Sequence, residues 1–163
     1  NMGFWQPVDA KTDQDFTWID TNRLSKRLST FTSRNILVVA DSCFSGAVFR
    51  GSDAEFNYVA GGARAYQSLI DKRTRLALTS GGMEPVLDSL GEGENSIFAQ
   101  EFMKSLTRGK NIFSAGQLFE EVRSRVAARS LANGFQQVPE LSPLYGAGHD
   151  GGDFVFVRTS SAD

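Results

Sequence analysis

Cysteine and histidine each occur once in this chain, at Cys43 and His149, and proline only four times in 163 residues. One cysteine excludes a disulfide within the chain. One cysteine and one distant histidine also lack the paired ligand spacing of a zinc site. An unpaired thiol suits a reducing compartment, which points to the cytoplasm. No apolar run approaches the roughly 18 residues of a membrane-spanning helix, and no charged-then-apolar leader opens the sequence. Basic and acidic residues nearly balance, 17 against 19, for a formal net charge of -2. That leaves neither the basic footprint of a nucleic-acid binder nor a polybasic membrane patch. Gly91-Glu-Gly-Glu94 lacks the Lys-Ser/Thr that a phosphate loop requires.

What is present is the alternation of a packed α/β domain, expected over 1–158 with a frayed tail at 159–163. The chain opens in mid-pattern at Asn1, as a fragment of a longer polypeptide would. Residues 3–10 read as a short extended piece, because Pro7 disfavours helix at Gln6. Leu24, Leu28 and Phe31 recur at i, i+4 and i+7, a helical face that Asp20, Thr21 or Asn22 can cap. Ile36 to Ala40 is a short apolar run without alternation, the pattern of a strand covered on both faces. Gly51 to Gly62 reads as a loop, Ala63 to Asp71 as a helix, and Leu76 to Ser80 as a second buried strand.

A Gly-rich acidic loop then runs to about Asn95, where Asn95 or Ser96 caps a helix carrying Phe98, Phe102 and Leu106 on one face. Ser114 and Gln117 form a capping-box pattern ahead of Leu118, Val122 and Val126. Leu131 to Tyr145 reads as a Gly- and Pro-interrupted connection, and Asp153 to Val157 as the closing strand. This order predicts a mainly parallel sheet with helices on both faces.

The organising stretch is Asn35-Ile-Leu-Val-Val-Ala-Asp-Ser-Cys-Phe-Ser-Gly46. In open α/β sheets chemistry gathers at the carboxyl ends of strands, and here that end carries Asp41, Ser42 and Cys43. Free cysteine is ordinarily a small buried hydrophobe. The flanking Asp and Ser argue against packing alone, and Gly46 permits a tight turn.

Asp41-Ser-Cys-Phe-Ser-Gly46 after such a strand resembles the nucleophile motif of the caspase-like cysteine peptidases, in particular the metacaspase and bacterial branch. Trp5-Gln-Pro-Val-Asp-Ala10 resembles the segment after that family's catalytic histidine loop, and Leu78 to Gly82 with Leu87-Asp88 resembles the strand and loop lining its substrate cleft. Ser96-Ile-Phe-Ala99 and Gly148-His-Asp-Gly-Gly-Asp-Phe154 resemble its closing helix and strand. The resemblance runs from near residue 3 to near residue 157. It implies a caspase-like three-layer sandwich with a closing C-terminal edge strand, and it makes Cys43 the nucleophile of a thiol protease. A free thiol near pKa 8.5 is only a few per cent ionised at neutral pH, so a base must take its proton. The caspase pattern puts that histidine about 50 residues before the cysteine, which from Cys43 falls before Asn1. The base is therefore expected from upstream sequence, in the same polypeptide or as a separate chain. His149, after the cysteine, is expected to be structural or superficial, with a substitute base as the alternative reading.

The resemblance also bears on specificity. Metacaspases carry Asp two residues before the cysteine and cleave after Arg or Lys, and Asp41 occupies that position. Its plain alternative is a structural Asp bonding nearby backbone amides. Asp88 falls where caspases proper place a substrate-binding Arg, a sign inversion that suits a basic substrate. Glu84 is a further candidate for the same pocket, and a solvated acidic loop accounts for both equally well. The expected partner is thus a peptide with a basic residue before the scissile bond. No cofactor is expected. Calcium activation, known among metacaspases, is compatible with the acidic loops and has no motif behind it. Arg50, Lys72 and Arg73, after the nucleophile, are candidate sites of autoprocessing.

Overall fold

The computed structural model describes residues 4–42, 63–81, 95–108 and 111–158. Within them the elements run β1 (Phe4–Trp5), β2 (Ile19–Asp20), α1 (Thr21–Ser29), β3 (Asn35–Ala40), α2 (Ala63–Ile70) and β4 (Thr74–Thr79). Then follow α3 (Ile97–Arg108), β5 (Ile112–Ser114), α4 (Ala115–Ala132), β6 (Glu140–Pro143) and β7 (Val155–Val157). The chain is a mixed α/β protein built around the sheet β3-β4-β6.

β3 and β4 run parallel in register from Asn35 opposite Thr74 to Ala40 opposite Thr79. β6 joins the other side of β4 antiparallel, with Leu78 opposite Leu141. Alternation along the strands sends side chains to two cores. Leu37, Leu76, Leu78 and Leu141 pack with Ile97 and Phe98 of α3 and with Leu118, Phe119, Val122 and Val126 of α4. Ile36, Val38 and Ala77 face the opposite side, against Leu24 and Leu28 of α1 and Leu144. Helices therefore cover both faces of the sheet, as the β–α alternation predicts.

Three expectations are corrected. The sheets are mixed rather than mainly parallel: among the described residues only β3 and β4 pair parallel, and the other three named pairings are antiparallel. The strand buried throughout is β4, whereas β3 is an edge of the described sheet and Val39 is 40% exposed. β7, expected to close the main sheet, pairs instead with β5, where Phe113 and Phe156 stack at 5.0 Å.

Local signals explain the helix starts. Asp20 caps α1, its Oδ1 accepting from the N–H groups of Asn22 and Arg23. The Ser114 capping box of α4 is complete: Gln117 N–H donates to Ser114 Oγ and Ser114 N–H to Gln117 Oε1. Asp153 adds a carboxylate at the same terminus, accepting from Gly116 N–H at 3.2 Å. Burial raises the Asp153 pKa, and hydrogen bonds from Ser114, Gly116, Phe154 and Ala115 offset part of that rise. No helix among the described residues is long and apolar enough to cross a membrane.

Candidate functional site

Parallel pairing brings the carboxyl ends of β3 and β4 side by side, and the polar residues of both strand ends converge there. Ser80 N–H donates to Ala40 O, and Ser80 Oγ donates to Ser42 O at 3.2 Å. Gln137, almost wholly buried, donates from Nε2 to Ser80 O at 2.9 Å. Ser42 Oγ and Gln137 Oε1 are buried in this region with no hydrogen-bond partner among the described residues.

Asp41 stands at the end of β3, exposed. Its Oδ2 accepts a 2.5 Å hydrogen bond from the hydroxyl of Ser96, the residue before α3. Ser96 is itself buried, and its Oγ accepts from Ala99 N–H at 2.9 Å while its carbonyl takes Gln100 N–H. The first turn of α3 is thus capped by a hydroxyl whose proton points to a carboxylate, a charge-assisted bond at the short end of the O–H to O⁻ range. The sequence marks Ser96 as a helix cap. Its bond to Asp41, 55 residues away, is tertiary and has no local signal.

Cys43, Asp88 and Glu84 lie outside the described residues, so of the four site residues expected from sequence only Asp41 has a described position. The segments that contain them follow directly in sequence on Ser42 of β3's end and on Gly81 of β4's end.

His149 sits at the other end of the sheet. Its Nδ1 accepts the N–H of Arg75 at 3.2 Å, near the amino end of β4. From Arg75 to Ser80, the residue after β4, is five residue steps, roughly 16 Å at about 3.3 Å each. His149 is therefore a structural acceptor remote from Asp41. Burial lowers its pKa, against the opposing pull of the Asp153 and Asp150 charges.

Arg75 is an unexpected member of the same amino-end cluster. It is fully buried, and its guanidinium donates to five backbone carbonyls: Leu28, Phe31, Ser33, Arg34 and Thr74. Leu28 lies in the last turn of α1, whose final carbonyls a helix leaves open, and Phe31, Ser33 and Arg34 lie in the segment just past it. Burial, then the charge of Arg73, lowers its pKa. Arg73 also donates to Ser29 O. An open depression of about 430 Å³, lined by Phe31, Arg34, Asp71, Arg73 and Asp150 among others, lies on this side. Among the described residues no group of three or more His, Cys, Asp or Glu is placed to hold a metal ion.

No family model, no curated protein and no solved structure matches the chain.

Proposed function

We propose that this chain is the nucleophile-bearing part of a caspase-like cysteine endopeptidase that cleaves peptide bonds after Arg or Lys in the cytoplasm. The observation that carries the reading is Asp41. It is an exposed carboxylate at the carboxyl end of a parallel strand pair, two residues before the only cysteine, in the motif Asp41-Ser-Cys-Phe-Ser-Gly46. Strand ends of this kind are where open α/β sheets bind ligands. The sheet covered by helices on both faces supports the three-layer part of the resemblance.

In this reading Cys43 attacks the scissile carbonyl as a thiolate, and its backbone N–H stabilises the oxyanion, worth roughly 3 kcal/mol of barrier in comparable sites. A substrate guanidinium pairs with Asp41 through charge-assisted bonds of about 1.5–3 kcal/mol each. Asp88 and Glu84 add negative charge around the same substrate residue. The base is a histidine from sequence before Asn1, since His149 stands at the far end of β4. β3 has no strand partner on its outer side among the described residues, and an upstream strand carrying that histidine would pair there. His149's remoteness equally favours a second reading, a catalytically inactive caspase-like scaffold that binds partners.

The deciding experiment assays the polypeptide with its upstream sequence on fluorogenic peptides ending in Arg, Lys or Asp. The peptidase reading expects turnover after Arg and Lys, abolished by Cys43→Ala and weakened more than tenfold by Asp41→Asn. Turnover that survives Cys43→Ala removes the nucleophile, preference for Asp removes the basic pocket, and no turnover at all favours the scaffold.

A further inference from the structure

We infer that Ser96 is a positioning residue for specificity, fixing the Asp41 carboxylate so that it receives a planar guanidinium in preference to an ammonium. The inference rests on the reading of Asp41 as the substrate-charge partner and adds the residue that tunes it. An exposed aspartate at a strand end turns freely about its side-chain bonds, and an incoming cation must freeze it. Here the turning is already limited. Ser96 Oγ is fixed by the Ala99 N–H at the start of α3, and it donates a hydrogen bond to Asp41 Oδ2. Two hydrogen bonds in series polarise one another, and the amino end of a 12-residue helix favours the negative charge at their end. Ser96 is only 6% exposed, so water does not readily replace its hydroxyl, whereas Asp41 remains open to solvent and to a ligand.

Orientation matters unequally to the two basic side chains. A guanidinium forms two parallel bonds in a fixed plane, so its match depends on the carboxylate's angle. An ammonium is a point charge that follows the carboxylate wherever it turns. Removing the Ser96 hydroxyl should therefore cost an arginine substrate more than a lysine one, and mainly through binding rather than the chemical step.

The test measures kcat and KM on two peptides identical except for Arg or Lys before the scissile bond, using the polypeptide with its upstream sequence. Ser96→Ala should lower kcat/KM about tenfold for Arg and only about two- to threefold for Lys, chiefly through KM, given what a hydrogen bond to a charged group contributes. Ser96→Thr keeps the hydroxyl and should restore both the rate and the Arg-to-Lys ratio. If alanine unfolds α3, Ser96→Gly serves, since glycine is tolerated as a helix cap. An unchanged Arg-to-Lys ratio in the variants, with wild type still cleaving after both, overturns the role of Ser96 and leaves that of Asp41 standing. Wild-type turnover that is absent, or indifferent to Cys43→Ala, overturns the peptidase reading and this inference with it.

Discussion

At His149 one imidazole does the work of a strand. β6 pairs with β4 only from Leu76 onward and ends at Pro143, so Arg75 N–H would face an empty place in the ladder. His149 Nδ1 fills it, which requires that nitrogen to carry a lone pair and no proton. Burial lowers the folded-state pKa below the ordinary 6.5, outweighing the Asp153 and Asp150 charges. A depressed pKa contributes stability that is present above 6.5 and is lost as pH falls through the folded value. The urea midpoint should accordingly be lower at pH 5.5 than at pH 7.5, and His149→Asn, which cannot titrate, should flatten the difference. Asp153 has the opposite sign: its raised pKa gives stability that is full below 3.8 and is lost as pH rises through the folded value. An undiminished acid loss in His149→Asn would therefore assign the effect to another group. The sequence leaves His149 open between base and structural acceptor, because its neighbour Arg75 is 74 residues away.

Among the elements, those legible in the sequence are the ones whose own residues decide them. α4 announces itself through Ser114, Gln117 and the spacing of Leu118, Val122 and Val126, and α1 through Asp20. The end of α1 does not: Phe31 continues the helical spacing, yet the helix stops at Ser29 and Phe31 is half exposed. The stop is tertiary, since the guanidinium of Arg75 gathers the carbonyls of Leu28, Phe31 and Ser33. β6 reads as a connection because Glu140-Leu-Ser-Pro143 has one apolar residue and a proline. Only pairing with β4 makes it a strand, and Pro143 is tolerated at its last position.

Helix against helix, α3 and α4 are pinned by Glu101. Its carboxylate accepts from Lys104 at 3.0 Å and from Arg129 at 2.9 Å, and its side chain is 8% exposed. Burial alone would raise the pKa of Glu101, and the hydrogen bonds and charges of Lys104 and Arg129 turn the shift downward. Glu101→Gln should lower the unfolding free energy by about 1–2 kcal/mol at neutral pH, since Arg129 and Lys104 can still reach water. Because a depressed carboxyl pKa loses its contribution as pH falls through the folded value, the gap between wild type and variant should be full above the ordinary 4.5 and should narrow as pH falls below it. A gap independent of pH would mean that the glutamine misfits the site sterically and that the ion pair contributes little.

Across the whole molecule the sheet separates two polar regions. Asp41, Ser80, Ser96 and Gln137 lie at the carboxyl ends of the strands, while His149, Arg75, Arg73 and the turn between α2 and β4 lie at the amino ends. The amino-end region holds two of the expected sites of self-cleavage, Lys72 and Arg73. Arg73 is tied to Ser29 O through its side chain and to Asp150 N–H through its carbonyl, and Thr74 after it donates to Arg34 O as β4 begins. Lys72 is exposed, but its carbonyl lies against Gly152 so closely that a β-carbon there would approach it to 2.8 Å. A protease needs an extended segment of several residues, and neither peptide bond can supply one without unpairing the edge of β4. Arg50 lies outside the described residues. If the protein is a basic-specific peptidase, mass spectrometry of material incubated with its upstream sequence should find no early termini after Lys72 or Arg73, and no new termini at all in Cys43→Ala. Early cleavage after Arg73 would contradict the anchoring of that turn, and an intact mass alongside full activity would remove self-processing from the mechanism.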